Sequence, residues 1–200
     1  MRAFIAIRLD SKVIDELAQI QQELRSEIKG VRWVKPELLH LTLKFLGEIR
    51  EEDIELLEQP LRELGSLTAS FNISFSSLGA FPHRGDPRVI WLGVDKGAGE
   101  LYNLAREIDK LLLVHTIFNK PEKSKFKPHL TLGRRNKREG FYLNKRVFDE
   151  RWVCKNIMAV RGFYLMQSTL YPSGPVYTPL KKFLLKNYKQ AGYSRTKENI

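Results

Sequence analysis

Apolar and polar residues follow two different periods along this chain. Alternation with period two, or a short unbroken apolar run, predicts strands over residues 2–9, 31–35, 71–75, 89–94, 157–167 and 176–185. We expect the run 89–94 to be buried on both sides. Apolar residues three and four positions apart predict helices over residues 11–29, 54–65 and 101–112. Asp10 and Ser11 should cap the first helix and Gly65 should end the second, which Pro60 should kink or split.

The tetrapeptide His-Leu-Thr-Leu occurs twice, at residues 40–43 and 129–132, although the chain has only four histidines. In the first copy, alternation places His40, Thr42 and Lys44 on one face of a strand. The two leucines between them are then expected to face the core, and so is Phe45. The strand therefore presents an imidazole and a hydroxyl on the face that points away from the core.

The second copy predicts a matching strand, with His129 and Thr131 pointing away from the core. Each copy follows a long predicted helix and lies in its own half of the chain. This arrangement predicts two similar lobes whose motif strands line a common cleft. Arg134 has the opposite phase to His129 and Thr131, so it reaches that cleft only if the strand ends or twists there.

The net charge of +11 indicates that the protein binds an anionic partner. Basic residues crowd into residues 120–127, 134–138 and 181–197. A positive field attracts polyanions and speeds their encounter without specifying a sequence. The first two clusters flank His129 and favour a phosphate-bearing partner, with Lys123, Lys125 and Lys127 as candidate contacts. We interpret residues 186–200 as a basic, loose tail with a solvated surface, which follows a single bilobal domain over residues 1–185.

The composition indicates in which cellular compartment the protein works and whether it is globular or membrane-spanning. With 200 residues and 42% hydrophobic residues, the chain can bury a sizeable core. Its single cysteine, Cys154, excludes an internal disulfide and fits a reducing compartment, where we expect a buried thiol without chemistry. The apolar N-terminal run is too short for a signal peptide, and no stretch is long and apolar enough to span a membrane. We therefore expect a cytoplasmic monomer that does not bind membranes.

Histidine is the side chain whose ordinary pKa allows proton exchange near neutrality. Two histidines across a bound phosphodiester could divide the work, one deprotonating the nucleophile and the other protonating the leaving oxygen. The hydroxyls of Thr42 and Thr131 could donate hydrogen bonds to the non-bridging oxygens. This scheme needs no metal and no other cofactor. The sequence also has no His-x-His or His-Glu-x-x-His pattern, and too few cysteines for a metal cluster.

At these residues the chain resembles the 2H phosphoesterases, whose hallmark is a pair of His-x-Thr/Ser-x motifs. It is most similar to the branch of RNA 2′,3′-cyclic phosphodiesterases, also called 2′-5′ RNA ligase-like proteins. The likeness covers nearly the whole chain. It rests on Arg2-Ala3-Phe4-Ile5-Ala6-Ile7, His40-Leu41-Thr42-Leu43-Lys44-Phe45-Leu46-Gly47, Pro128-His129-Leu130-Thr131-Leu132-Gly133-Arg134 and Gly174-Pro175-Val176-Tyr177. The basic tail departs from the family pattern and bears on nucleic-acid affinity rather than on the motifs.

The resemblance implies an α+β, bilobal fold with two pseudo-symmetric antiparallel sheets flanked by helices around a central cleft. It implies hydrolysis of a 2′,3′-cyclic phosphate at an RNA 3′ end to a 2′-phosphomonoester. By this likeness His40 is the proton donor and His129 the proton acceptor, while Thr42 and Thr131 bind the phosphate. Arg134 is a further candidate phosphate ligand, on the condition given above. Some relatives also join RNA ends through a 2′-5′ bond. The near symmetry of the motifs leaves the acid and base assignment open on residues alone.

Two alternatives remain open at this stage. One is a non-catalytic RNA-binding module that uses the same basic cleft, in which both histidines would be replaceable. The other keeps the chemistry and changes the substrate to a small cyclic nucleotide or an ADP-ribose derivative. The other two histidines receive no chemistry, since His83 lies in a turn-rich loop and His115 ends a helix.

Overall fold

The computed structural model describes residues 1–82, 86–114, 126–136, 139–148 and 152–187. Several residues considered above lie outside this part of the chain, namely His83, His115, Lys123, Lys125 and the tail from residue 188 onward. In chain order the elements are β1 (Arg2–Arg8), α1 (Ser11–Glu27), β2 (Ile28–Lys29), β3 (Val31–Trp33), β4 (His40–Glu48), α2 (Glu51–Leu67), β5 (Phe71–Phe81), β6 (Val89–Val94), α3 (Ala98–Val114), β7 (His129–Arg135), β8 (Tyr142–Leu143), β9 (Val153–Val160), β10 (Gly162–Tyr171) and β11 (Gly174–Leu184). Short 3-10 turns, Pro36–Leu38 and Lys145–Phe148, precede β4 and β9.

Two antiparallel sheets carry the two motif strands. The first sheet has the order β11-β10-β1-β4 and holds the first motif on its edge strand. The second sheet has the order β3-β7-β6-β5-β9 and holds the second motif on β7. Strands β2 and β8 form a separate two-stranded ribbon.

The two sheets match each other strand for strand. Strands β4, β1, β10 and β11 of the first sheet correspond in order to β7, β6, β5 and β9 of the second. Each motif strand is also joined to its neighbour through a long helix, as β1–α1–β4 in one lobe and β6–α3–β7 in the other. The structure therefore confirms the predicted α+β, bilobal and pseudo-symmetric fold.

Among the described residues, the helices pack on one face of each sheet and no helix covers the other face. Helices α2 and α3 contact β11 and β4 of the first sheet, whereas α1 contacts β9 of the second. The buried side of α1 follows the predicted helical spacing, with Val13, Leu17, Ile20 and Leu24 in the core. Among the described residues, no helix is both long enough and apolar enough to cross a membrane.

The prediction that the second helix ends at Gly65 was wrong, and of the two effects expected of Pro60, splitting does not occur. Helix α2 is not split at Pro60 and continues two residues beyond Gly65. Leu57 and Leu61 are fully buried on either side of the proline, so tertiary packing outweighs the lost hydrogen bond. Gly65 serves a close approach instead, because a Cβ there would lie 2.6 Å from the carbonyl oxygen of Leu184 on β11.

Three further expectations also need correction. Strand β6 is not buried on both sides, since Ile90 and Leu92 are buried while Trp91 between them is only half-buried. The predicted strand 157–167 is the end of β9 and the start of β10, which separate at Arg161. Asp10 is the N-cap residue of α1, but its side chain makes no capping hydrogen bond.

Candidate active site

A cavity of about 870 Å³ is lined by residues of both sheets. Its lining includes the five residues predicted to act on or bind the phosphate, namely His40, Thr42, His129, Thr131 and Arg134. Arg2, Arg32 and Lys127 add positive charge to the wall, and none of the described lining residues is acidic. None of these three cations forms an ion pair with a described carboxylate, so their charge is available to an anionic ligand.

A β-bulge occurs at the same place in both motif strands. The pairing of β4 with β1 skips Leu43, and the pairing of β7 with β6 skips Leu132, each the third residue after its histidine. A bulge adds one unpaired residue and so inverts the alternation beyond it. The fifth residue after each histidine therefore returns to the cleft face, as Phe45 in one lobe and Arg134 in the other. Arg134 thus reaches the cleft through a bulge, whereas the sequence had allowed this only if the strand ended or twisted there.

The bulge in β7 is held by a buried side chain of α1. Gln21 is only 2% exposed, and its Nε2 donates hydrogen bonds to the carbonyl oxygens of Leu132, at 2.8 Å, and Val34, at 2.9 Å. The backbone N–H of Val34 also donates to the oxygen of Leu132, at 2.9 Å. The irregular backbone is thus satisfied inside the core, which fixes the strand just before Arg134.

The first bulge overturns the predicted orientation of two side chains. Lys44 was expected beside His40, but it pairs across the sheet with Ile5 and lies in the core, 7% exposed. Its Nζ contacts the carboxylate of Asp109 on α3 at 2.6 Å. Phe45 was expected in the core, but it is 56% exposed on the cleft side. Lys44 therefore joins helix to sheet, and Asp109 holds its ammonium group although the residue borders the cavity.

His40 is fixed by one backbone hydrogen bond and two aromatic rings. Its Nδ1 lies 2.7 Å from the carbonyl oxygen of Leu38, in the turn just before β4. The rings of Phe4 and Tyr177 lie 5.0 and 5.1 Å from the imidazole, centroid to centroid. Tyr177 approaches edge-on, and burial raises the pKa of its hydroxyl, which therefore stays protonated.

His129 has an equivalent environment in the second lobe. Its Nδ1 lies 2.6 Å from the carbonyl oxygen of Lys127, again two residues before the histidine. The rings of Phe81 and Trp91 lie 5.1 and 6.1 Å from its centroid, both in edge-to-face geometry. The sequence did not reveal these aromatic neighbours, because they come from strands distant in the chain.

The repeated hydrogen bond defines the tautomer of both imidazoles. A carbonyl oxygen can only accept, so each Nδ1 carries a proton. Proton exchange with a ligand then falls to Nε2 of each ring, which is an acceptor when the ring is neutral and a donor when it is charged. The site thus holds two equivalent groups that can each act as either acid or base.

Burial lowers the pKa of both His40 and His129 below the ordinary value of 6.5. The hydrogen bonds to the carbonyls oppose the shift, while the positive charge of Arg134 adds to it at both rings. Both imidazoles are therefore mainly neutral at pH 7 in the unliganded protein. An anion bound in the cavity offsets the charge of Arg134 and favours protonation of the ring beside it.

In the part of the chain that the structure describes, neither a metal cluster nor a reactive thiol accompanies the histidines. Within the described residues, no group of three or more His, Cys, Asp or Glu side chains is arranged to hold a metal ion. Cys154 is 2% exposed, and burial together with a hydrogen bond to Glu16 raises the pKa of its thiol to about 12. The thiol therefore stays protonated and has no nucleophilic role.

Fold and site together define a phosphoesterase of the LigT-like class, and comparisons with known proteins agree. The model of the family described as LigT like Phosphoesterase matches residues 7–91. The chain is 40% identical over 188 residues to an Archaeoglobus fulgidus protein named RNA 2′,3′-cyclic phosphodiesterase, covering 92% of this chain and 99% of that one. A protein of the same name from Aquifex aeolicus is 37% identical, with 92% and 97% covered.

Solved structures show the same relationship. A crystal structure of a Thermus thermophilus protein superposes with a TM-score of 0.79 at 32% identity, over 94% of this chain and 99% of the other. The chain therefore belongs to the LigT-like 2H phosphoesterases, a family of enzymes that includes the proteins named RNA 2′,3′-cyclic phosphodiesterase.

Proposed function

We propose that this protein hydrolyses the 2′,3′-cyclic phosphate ends of RNA to 2′-phosphomonoesters by acid–base catalysis with two histidines. The observation that carries the proposal is the pair of equivalent imidazoles, each held through Nδ1 by a backbone carbonyl, on the wall of one cationic cavity. The names of the relatives support RNA as the substrate.

In the proposed reaction, Nε2 of neutral His129 takes a proton from water as the water oxygen attacks phosphorus. The bond between phosphorus and the 3′ oxygen breaks, and Nε2–H of protonated His40 gives its proton to that oxygen. The products are a 2′-phosphomonoester and a free 3′ hydroxyl. The roles of donor and acceptor follow the family resemblance. Each proton transfer is worth about 10²–10⁴ in rate.

The side chains around the phosphate complete the proposal. The hydroxyls of Thr42 and Thr131 donate hydrogen bonds to the two non-bridging oxygens, since each lies two residues after its histidine on the same face. Arg134 neutralises the charge that develops on these oxygens. Water, acid, base and hydrogen-bond donors suffice for the step, so we propose that it proceeds without a metal.

The same arrangement would serve a second ring-opening reaction of the cyclic phosphate. If a 5′ hydroxyl of a second RNA end replaces water, the cyclic phosphate is opened to a 2′-5′ bond. Both reactions use the same proton acceptor and donor, so we propose ligation as a secondary activity of the same site.

The test is incubation of the protein with an oligoribonucleotide that ends in a 2′,3′-cyclic phosphate, in excess chelator, followed by mapping of the product phosphate. We expect a 2′-phosphate alone, and no product with His40→Ala or His129→Ala. A need for a divalent ion would contradict the mechanism. Conversion of a small cyclic nucleotide but not of RNA would favour the alternative substrate, and full turnover by the double alanine variant would favour a binding module.

We also propose that residues 1–185 act as a single domain and that the protein is a cytoplasmic monomer. Both half-sites come from one chain, so the cavity needs no second copy. A single cysteine suits a reducing compartment. Light scattering coupled to gel filtration should give the mass of one chain.

A further inference from the structure

The open face of the first sheet continues beyond the cavity as a strip of three side chains. Arg8 on β1 lies directly opposite His40 on β4, so both point to the same face. Tyr164 on β10 is paired with Ala6, and Lys182 on β11 is paired with Tyr164, which places these side chains on that face as well. None of the three lines the cavity itself.

The strip combines an aromatic ring with two exposed cations. The guanidinium carbon of Arg8 lies 5.6 Å from the ring centroid of Tyr164, and Nζ of Lys182 lies 5.8 Å from it. Both distances are within the range of cation–π contact, which orients the cations along the sheet. Neither cation forms an ion pair with a carboxylate of the described residues.

We propose that this strip binds the RNA segment that precedes the cyclic phosphate, with Arg8 and Lys182 on backbone phosphates and Tyr164 against a base. The inference rests on the proposed function, because it extends the substrate from the reacting end. Single-stranded nucleic acids are bound in this way, by cations that follow the backbone and aromatic rings that stack on bases.

The strip lies close enough to the cavity for one oligonucleotide to occupy both. Lys182 lies in the same register row as Thr42, three strand spacings of about 4.8 Å away, or about 14 Å in all. A mononucleotide bound between the two histidines would leave this surface uncovered, whereas an oligonucleotide would cross it. The protein should therefore prefer an oligonucleotide to a mononucleotide.

The test compares the double variant Arg8→Ala/Lys182→Ala with Arg106→Ala/Lys110→Ala. The second pair removes the same two residue types from exposed positions on α3, which covers the opposite face of the first sheet. For each protein, kcat/KM is measured on a 2′,3′-cyclic mononucleotide and on an oligoribonucleotide with the same end. Binding of a fluorescent oligoribonucleotide with a 3′-phosphate is measured over a roughly fourfold range of salt, from about 50 to about 200 mM.

We expect the preference for the oligonucleotide to fall about tenfold in the strip variant and to stay at the parent value in the α3 variant. The logarithm of the binding constant falls linearly with the logarithm of the salt concentration. Losing two phosphate contacts should make this slope shallower by about 1.4. Between those salt concentrations, the parent should thus lose about sevenfold more affinity than the strip variant.

If the two double variants show the same preference for the oligonucleotide and the same salt slope, the proposal that the strip binds RNA is wrong. Failure of the parent on both substrates would instead contradict the proposed function, while the binding measurement would still decide whether RNA uses this surface. Unchanged thermal unfolding of each variant serves as the control for folding.

Discussion

One buried glycine should control the position of a proposed catalytic histidine through an indole ring. Gly79 lies opposite Trp91 on the neighbouring strand, and the indole of Trp91 approaches His129 edge-on. A Cβ at residue 79 would lie 2.2 Å from both Cζ2 and Cη2 of Trp91. Gly79→Ala must therefore displace the indole or the strand that carries the new methyl group, since the rigid ring has no flexible end that could move aside.

The size of the displacement follows from the contact distances. Ordinary van der Waals contact begins at 3.4 Å, so the ring or the strand must shift by about 1.2 Å. Phe81 lies 5.1 Å from both Trp91 and His129, which limits movement in that direction. A misplacement of about 1 Å in a reacting group can cost about 10² in rate, and overpacking costs about 1–3 kcal/mol of folding free energy.

The assay is kcat on a 2′,3′-cyclic phosphate substrate together with the midpoint of thermal unfolding. Gly99→Ala is the matched control, because a Cβ there meets no atom within 4 Å. We expect a loss of kcat of up to about 10² for Gly79→Ala and none for Gly99→Ala. Adding Trp91→Phe to Gly79→Ala should restore part of the rate, since the smaller ring leaves room for the new methyl group.

Two results would refute this reasoning. A Gly79→Ala protein that is destabilised but keeps the parent kcat would show that the indole does not position His129. An equal loss of kcat in the Gly99→Ala protein would show that the effect is not specific to the contact with Trp91.

Other consequences of the site can be measured in the same assay. Thr42→Ala and Thr131→Ala should each cost about 1.5–3 kcal/mol of transition-state stabilisation, less than either histidine, and a Thr42→Ala enzyme as inactive as His40→Ala would contradict this ranking. Gln21→Leu should lower the free energy of unfolding by about 1–3 kcal/mol, because it leaves the oxygens of Leu132 and Val34 without that donor; unchanged denaturant unfolding would argue against it. Arg134→Gln removes a charge that lowers the pKa of both histidines, so the acidic limb of the kcat/KM profile should move to higher pH, while Arg134→Lys should leave it in place.

The sequence predicted the parts of the fold that depend on local patterns. Helical spacing identified α1 and α3, and the repeated motif identified β4 and β7 as equivalent strands. Because each motif strand follows a long helix, the two lobes could be inferred without knowledge of the pairing. The same pattern indicated His40 and His129 as candidate catalytic residues. This interpretation rested on the duplication of the motif, since neither histidine alone would have supported it.

The bulges could not be predicted, because they depend on pairing between strands. Strict alternation gave the wrong face for Lys44 and Phe45, since nothing in the motif marks Leu43 as the unpaired residue. The same irregularity at Leu132 brings Arg134 to the cleft. Its support by Gln21 is a contact across the core that local periodicity does not contain.

The aromatic neighbours of the histidines depend on tertiary contacts in the same way. Tyr177 reaches His40 from the last strand of the first sheet, and Phe4 lies within an apolar run that did not distinguish its two faces. Trp91 was interpreted as part of a fully buried strand, although it is half-buried and its ring contacts that of His129. Only the assembled sheets show which apolar residues surround the imidazoles.

If His40 and His129 act as acid and base on one phosphodiester, the pH dependence of kcat/KM must reflect the titration of both imidazoles. The parent should give a bell-shaped profile whose acidic limb lies below pH 6.5, because burial and Arg134 lower the pKa of the histidine that must be neutral. The residual activity of His129→Ala should lack the acidic limb, since its proton acceptor is gone, and that of His40→Ala should lack the alkaline limb. Profiles that keep both limbs in both variants would contradict the account.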